Sequence, residues 1–211
     1  MIEVKNLSFL HILDSISFSL PQGRTLGVIG HNGAGKTTLF HVLMGFKFRT
    51  AGEFEIKEKK IAYVPERPYL SLEDKFRSFL KLHLDLISFP KHQQENEVLR
   101  VATQVGLEKN LDQPFQQFSK GMLQKALLAQ ALLGNPNLIF LDEPMSGLDS
   151  DSRDEFKKYL LELKNNGITL VFTSHVFEDV SLLADEVLLL DGGKQVFLGD
   201  VQSWTERGIQ R

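Results

Sequence analysis

The residue types best suited to chemistry in this chain of 211 residues lie in a glycine-rich segment between two regular elements. Segment 30–37 fits the pattern G-x-x-x-x-G-K-T; it follows the apolar run 26–30 and precedes a helical pattern. Glycines let a backbone wrap a phosphate, so that amide N–H groups and the positive end of a helix face the negative charge. The predicted phosphate-binding residues are Gly30, His31, Asn32, Gly33, Ala34, Gly35, Lys36, Thr37 and Thr38. Within them, we expect Lys36 to reach the β- and γ-phosphates and the Thr37 hydroxyl to ligate Mg²⁺.

Two adjacent carboxylates form a second candidate site. Asp142 and Glu143 directly follow the apolar run 138–141, a pattern typical of a buried strand in a parallel sheet. Ligands of α/β proteins bind at the carboxyl edge of such a sheet. We therefore expect Asp142 to hold Mg²⁺ through water, and Glu143 to polarise a water for in-line attack on the γ-phosphate.

Two more polar segments have the right context for phosphate contacts. Ser119 occupies the N-cap position of an Ala- and Leu-rich helical pattern with Gly121 in its first turn, and a helix N-terminus attracts anions. His175 follows the apolar run 168–173, on the same predicted sheet edge as segment 30–37. It is therefore a candidate contact for the γ-phosphate.

The elements that must position these residues alternate between strands and helices. Polar–apolar alternation predicts strands at 2–5 and 16–20, which form a β-ribbon, and the polar stretch 49–60 predicts another hairpin. Apolar runs predict the other strands at 26–30, 61–64, 138–141, 168–173 and 186–190. Helical spacing predicts helices at 36–44, 72–89, 94–105, 120–133 and 152–165, and a short one after Ser174. Because short apolar strands separated by helices are covered on both faces, we expect a mainly parallel sheet.

Composition excludes several classes of protein. With 24 basic and 27 acidic residues the net charge is −3, which argues against a protein that mainly neutralises nucleic-acid phosphates. The absence of Cys excludes disulfides and Cys-ligated metals. No run approaches about 18 apolar residues, so we expect a soluble chain without a targeting or spanning segment. Sixteen Phe against three Tyr and one Trp favour dry packing or an apolar docking surface.

The order of these motifs resembles the nucleotide-binding domain of ATP-binding cassette (ABC) transporters, over essentially the whole chain. The motifs are the Walker A phosphate loop 30–37, a signature-like segment 118–122, the run 138–143, segment 146–149 and His175. The resemblance implies an α/β P-loop NTPase fold with a mixed, mainly parallel core sheet, an N-terminal antiparallel β-subdomain and an inserted α-helical subdomain. It further implies a single ABC ATPase domain over 1–211, with 1–66 and 136–211 as core and β-subdomain and 67–135 as helical subdomain.

The resemblance also implies how the candidate residues act. In this family two domains sandwich two ATP molecules head to tail, either as a homodimer or with a paralogous ATPase subunit. The phosphate-loop, carboxylate and histidine residues of one copy would then face Ser119 and Gly121 of the other. Mg²⁺-dependent ATP hydrolysis would depend on closure of the dimer, because each site is shared.

Three departures from the family pattern matter for the site. The usual signature is L-S-G-G-Q, but here Lys120 replaces the first Gly and Met122 the Gln. Lys120 either adds positive charge near the phosphates or points into solvent. In the family, a Gln at the position of residue 66 senses γ-phosphate and Mg²⁺. This chain has Glu66 there, and we predict that Glu66 belongs to the metal site. Its carboxylate can serve a magnesium-bound water, yet it adds negative charge beside a triphosphate.

The N-terminal segment 6–13 is shortened relative to the family. Phe9 and His11 both offer a π-face for adenine; Phe9 is the predicted stacking residue, and packing under the β-ribbon is its alternative role. The aromatic residues of segment 67–80 lie where the family receives its membrane subunit. They form either the core of the helical subdomain or a docking surface.

We therefore expect an ATP-hydrolysing subunit of an ABC transporter, similar to exporter-type bacterial members, at the cytoplasmic face of the cell membrane. Its partner would be a separate transmembrane permease subunit, and no nucleic-acid partner is expected. The alternative is a non-transport ABC ATPase acting on nucleic acid or ribosomes, but tandem cassettes or a long coiled-coil insertion do not occur in the sequence. A GTPase would need an Asn-Lys-x-Asp motif, which is missing, and a kinase would need an acceptor site and a lid.

Overall fold

The alternation of strands and helices produces a layered α/β structure. The computed structural model describes residues 1–206. Its strands are β1 (Ile2–Phe9), β2 (Leu13–Leu20), β3 (Thr25–Ile29), β4 (Ala51–Ile56), β5 (Ile61–Val64), β6 (Leu138–Leu141), β7 (Thr169–Ser174), β8 (Glu186–Asp191) and β9 (Lys194–Asp200). Its α-helices are α1 (Lys36–Leu43), α2 (Phe76–Leu86), α3 (Gln94–Gln104), α4 (Lys120–Ala131), α5 (Ser150–Asn165), α6 (Phe177–Leu183) and α7 (Val201–Glu206).

The strands form one sheet in the order β4-β1-β2-β9-β8-β3-β7-β6-β5. At one end β1 pairs antiparallel with both β2 and β4. From β8 to β5 neighbouring strands are parallel, whereas β9 pairs antiparallel with β8. The prediction of a mixed, mainly parallel core sheet with an antiparallel N-terminal part is confirmed.

The hairpin predicted over 49–60 is wrong. This stretch contains the single strand β4, which pairs with β1 rather than with the next segment of chain. The following strand, β5, lies at the opposite edge of the sheet beside β6. The polar pattern identifies a half-exposed strand correctly, but it does not specify which strand becomes its neighbour.

The start predicted for the helix over 72–89 is also wrong. Helix α2 begins at Phe76, because the preceding residues make other contacts. The Asp74 amide donates to the Ser71 carbonyl in a turn (3.1 Å), and Lys75 forms an isolated antiparallel bridge with Pro114. The capping-box pattern at Ser71 therefore marks a turn, and residues 72–75 at the start and 87–89 at the end of the predicted helix lie outside α2.

Helices α2, α3 and α4 lie between β5 and β6 in sequence, and aromatic residues form part of their core. Phe76 and Leu80 are fully buried. The centre of the Phe76 ring lies 6.1 Å from that of Phe115 and 5.8 Å from that of Phe118. Several of the surplus phenylalanines thus supply dry packing. Tyr69, by contrast, is fully exposed. Within residues 1–206, every helix is too short or too polar to cross a lipid bilayer.

Candidate functional site

Three parallel strands bring the predicted site residues to one edge of the sheet. β3 pairs with β7, and β7 pairs with β6, so that all three end side by side. The phosphate loop follows β3 and leads into α1, the two carboxylates follow β6, and His175 follows β7. Strand pairing therefore converts three distant sequence motifs into neighbours.

The phosphate loop wraps around the side chain of Lys36. This lysine is only 6% exposed, and its ammonium donates to the carbonyl oxygens of Gly30 (2.7 Å) and His31 (3.3 Å). Gly35 precedes α1 with φ +103°, a left-handed conformation that side-chain-bearing residues rarely adopt. The loop thus places the lysine ammonium directly at the N-terminus of the helix.

Glu143 lies against that lysine. Its Oε1 is 3.2 Å from Lys36 Nζ but makes no directed hydrogen bond, and its Oε2 is 2.9 Å from His175 Nδ1. The backbone of Glu143 has φ 46°, which is strained for a residue with a side chain. The base predicted from sequence is therefore mostly shielded from solvent, with one carboxylate oxygen beside the His175 imidazole and the other in an ion pair with Lys36.

A threonine hydroxyl links the Asp142 carboxylate to the backbone of Glu143. Thr173 Oγ1 donates to Asp142 Oδ1 (2.7 Å) and accepts from the backbone amide of Glu143 (2.6 Å). Asp142 is 1% exposed. Because burial of an unpaired carboxylate is costly, this hydroxyl offsets part of the desolvation of Asp142.

The cavity above these residues has a volume of about 360 Å³. It is lined by Ile12, Asn32, Gly33, Ala34, Gly35, Lys36, Thr37, Thr38, Glu66, Arg67, Glu143, Ser146 and His175. Most of the predicted phosphate-binding residues are therefore on its wall, together with Glu66. Asp142 is not among the lining residues, since it is buried, and Gly30 and His31 support the loop without lining the cavity.

Phe9 is placed beside the β-ribbon core rather than on the cavity wall. It is half-buried at the end of β1, and the Lys47 ammonium lies 5.4 Å from the centre of its ring. Ile12 lines the cavity from this side. A stacking role for Phe9 stays a prediction.

The signature-like segment lies outside the cavity. Ser119 caps α4, since its hydroxyl accepts from the Met122 amide (3.2 Å), and it is exposed. Gly121 packs so closely on α5 that a Cβ there would lie 2.8 Å from Ser152 Oγ. Lys120 folds back within its own chain, because a Cβ on Gly147 would lie 2.2 Å from its ammonium. The Lys120 ammonium therefore lies against Gly147.

Comparison with known proteins decides the family. The family described as ABC transporter matches residues 13–146, more than half of the chain. The chain belongs to this family.

Individual ABC proteins match over most of the chain. An uncharacterized ABC transporter ATP-binding protein from Synechocystis is 34% identical over 90% of this chain and 56% of its own length. A manganese transport system ATP-binding protein from Listeria monocytogenes is 32% identical over 94% of this chain and 88% of its own. The chain spans less than two thirds of the length of the first two curated relatives that it matches.

Solved structures match as well. An ABC transporter in an inward-facing conformation has a TM-score of 0.89 and 27% sequence identity, covering 96% of this chain and 84% of that one. The P-loop NTPase fold expected from the motifs is therefore confirmed, as is the resemblance to ABC ATPases.

The oxygen donors of this ABC site suit magnesium. In residues 1–206, groups of three or more His, Cys, Asp or Glu side chains able to hold a metal ion do not occur. The Thr37 hydroxyl and the Glu66 carboxylate line the cavity, and the Asp142 carboxylate is buried at the end of β6. Mg²⁺ takes oxygen ligands, keeps several waters and usually binds through one or two carboxylates plus phosphates. The residues present fit such an ion.

Some residues of the site escaped sequence analysis. Arg67, Ile12 and Ser146 line the cavity without having been predicted there. The position of Arg67 directly after Glu66 is the signal that could have identified it. Asp191 contacts His31 from the turn between β8 and β9, and only the Gly192-Gly193 pair marked that turn in the sequence.

Proposed function

We propose that this chain is the ATP-binding and ATP-hydrolysing subunit of an ABC transporter, acting with Mg²⁺ at sites shared between two copies. One observation carries the proposal: a single cavity brings Lys36, Glu143 and His175 within contact distance above the N-terminus of α1. The relatives are named as ATP-binding proteins of transporters, which supports the same assignment.

The phosphate loop supplies the binding chemistry. Its amides and the N-terminus of α1 face the cavity, and they favour negative charge there. The Lys36 ammonium contacts the Gly30 carbonyl and Glu143 Oε1. A phosphate competes for this ammonium, so that binding frees the glutamate from its ion pair.

Glu143 supplies the base. Once a phosphate takes over the Lys36 ammonium, Glu143 Oε1 can accept a proton from an attacking water, while His175 Nδ1 lies 2.9 Å from the other oxygen. The Thr173 hydroxyl holds Asp142 on the metal side. When bound, Mg²⁺ neutralises charge on the β- and γ-phosphates during the transfer. Different residues of the chain thus bind phosphate, hold the metal ion and accept a proton.

Ser119 explains why two copies are needed. It lies at an exposed helix N-terminus and is not among the residues that line the cavity of its own chain. A second copy, placed head to tail, would bring Ser119 and Gly121 onto the γ-phosphate side of the first. We propose the subdomain division 1–66 and 136–211 against 67–135, since closure then moves the helical part relative to the phosphate loop.

The motion would be used by a membrane partner. We propose a separate transmembrane permease subunit that holds this chain at the cytoplasmic face of the membrane. The Listeria relative is named for manganese transport, whereas the residues that line the cavity here are those of the phosphate loop and its catalytic candidates. Substrate choice therefore lies with the permease.

Glu143→Gln tests the proposal. Loss of the base predicts a fall in ATP turnover of about 10²–10⁴-fold, with ATP binding kept and a closed dimer accumulating. Turnover is measured by phosphate release, and the dimer by light scattering with ATP and Mg²⁺. Glu178→Gln is the matched control, because Glu178 is exposed on α6 and does not line the cavity. Turnover equal to that of the unmodified chain would remove Glu143 from its role.

A further inference from the structure

The turn between β8 and β9 packs directly against the back of the phosphate loop. The Gly193 amide donates to the Ala34 carbonyl (3.1 Å). Gly30 approaches the same turn so closely that a Cβ on it would lie 2.4 Å from the Leu190 carbonyl oxygen. The loop is therefore braced by a hairpin from the far end of the sequence, in addition to its own helix.

His31 makes a further contact across this junction. Its Nδ1 is 2.6 Å from the carbonyl oxygen of Asn32, and its Nε2 is 2.9 Å from Asp191 Oδ1. A carbonyl can only accept, and so can an ionised carboxylate. Each ring nitrogen must then carry a proton to make its hydrogen bond, and only the imidazolium form has both.

The charged groups around the ring favour that form. The hydrogen bonds to the Asn32 carbonyl and to Asp191 raise the pKa of His31 above its usual value, and they outweigh desolvation and the charge of Lys36 on α1, which both lower the pKa. At the same turn Lys194 faces Asp14 at 3.9 Å. Asp191 is thus the carboxylate that faces the ring.

We propose that His31 is a positioning residue which, as an imidazolium, clasps the phosphate loop to the β8–β9 turn and holds the loop ready for nucleotide. We call the contacts of His31 with the Asn32 carbonyl and Asp191 the His31 clasp. Asn32 lines the cavity whereas His31 does not, so the histidine acts through its neighbour. The proposal rests on the nucleotide-binding function proposed above.

The clasp makes nucleotide affinity depend on pH. A histidine whose pKa is raised in the folded chain stays charged at pH values where a free histidine is neutral. Below the ordinary pKa of histidine the His31 clasp is complete. It is lost as the pH rises through the raised pKa that His31 has in the folded chain. Nucleotide binding should therefore weaken on the alkaline side, in addition to any titration of the nucleotide itself.

Ring ¹⁵N NMR tests the protonation directly, without nucleotide. In the full chain both ring nitrogens of His31 should give imidazolium-type shifts at neutral pH. Its titration midpoint should lie above that of the exposed His92 and should fall in Asp191→Asn. A neutral ring at pH 7 with one unprotonated nitrogen overturns the proposal, as does a midpoint that Asp191→Asn leaves unchanged.

Binding of MgADP between pH 6 and pH 9 tests the positioning role, because ADP avoids hydrolysis. Each variant is compared with the unmodified chain at the same pH, which cancels protonation of the nucleotide. His31→Gln should weaken binding about two- to tenfold near pH 6.5, the range of one hydrogen bond. Asp191→Asn should weaken MgADP binding mainly above neutral pH. His31→Arg should rescue binding and remove the excess pH dependence, because arginine stays charged.

Asp14→Asn is the matched control, since it removes the other exposed carboxylate at this turn. It should leave both affinity and pH profile unchanged. Thermal unfolding of each variant checks that the chain stays folded. Equal pH profiles for the unmodified chain, His31→Gln and Asp191→Asn overturn the clasp but leave the proposed function standing. Failure of the unmodified chain to bind MgADP overturns the proposed function, and the positioning role with it.

Discussion

Two helix N-termini in this chain are candidates for contact with phosphate, and they differ in how their own chain supports them. The N-terminus of α1 lies below a loop held by Lys36, by the Gly193 amide and by His31. The N-terminus of α4 is exposed, and its cap is its own residue Ser119. The first site has a buried cation and a cavity of about 360 Å³, whereas the second contributes to no cavity around the phosphate loop.

The two helix N-termini differ in whether they need a second copy of the chain to bind phosphate. Anion binding at α1 combines backbone amides, the helix dipole and a charged side chain, all within one copy. Lys120, the cation nearest the N-terminus of α4, lies against Gly147. A single copy should therefore bind nucleotide through α1 alone, and α4 should act only when a second copy presents it to a bound nucleotide.

Among the substitutions that test this difference between α1 and α4, Lys36→Ala should have the largest effect on nucleotide binding. Loss of the charged donor should weaken ATP binding by a single copy about 10- to 100-fold, the range for hydrogen bonds to charged groups. Binding is measured with a fluorescent ATP analogue under conditions where the chain is monomeric. Lys5→Ala, at an exposed site on β1, is the control. Unchanged affinity in Lys36→Ala would contradict the phosphate-loop assignment.

Ser119→Ala should have an intermediate effect that appears only in the dimer. ATP turnover should fall about tenfold, while MgADP affinity of the single copy stays the same. Because the substitution also removes a helix cap worth about 1 kcal/mol, Ser119→Asn serves as a control that keeps the cap. The comparison between the two helix N-termini fails if Ser119→Ala weakens nucleotide binding by the monomer.

Glu66→Gln should have the smallest effect. Glu66 is exposed on the cavity wall, so its charge repels a triphosphate only weakly through water. The substitution should keep ATP turnover or raise it by up to about threefold, measured beside Glu73→Gln as an exposed control outside the cavity. A collapse of turnover would assign Glu66 a catalytic part of its own.

Local patterns predicted the elements that carry the site. Strands β5 and β6 begin and end as their apolar runs indicate. A continuous apolar run fits a buried strand such as β6, whereas β5 is half-exposed at the edge of the sheet. Helix α4 begins after the predicted N-cap Ser119. Since these elements end at the sheet edge, the meeting of phosphate loop, carboxylates and His175 could be predicted before any distance was known.

Long-range contacts could not be predicted in the same way. The partner of β4 and the first residue of α2 depend on backbone bonds to segments far along the chain. Strand β9 also escaped prediction, and with it the turn that braces the phosphate loop. His31 and Asp191 are 160 residues apart, and periodicity within a short window carries no information on such a pair.

The Thr173 hydroxyl couples the position of the Asp142 side chain to that of the Glu143 backbone. A hydroxyl has one proton, and Thr173 gives it to Asp142 while its lone pair takes the amide proton of Glu143. The two bonds therefore have a fixed polarity that runs from the backbone of Glu143 to the side chain of Asp142. Because one oxygen makes both bonds, a shift of the Asp142 carboxylate is transmitted to the backbone of Glu143 over a path of two hydrogen bonds.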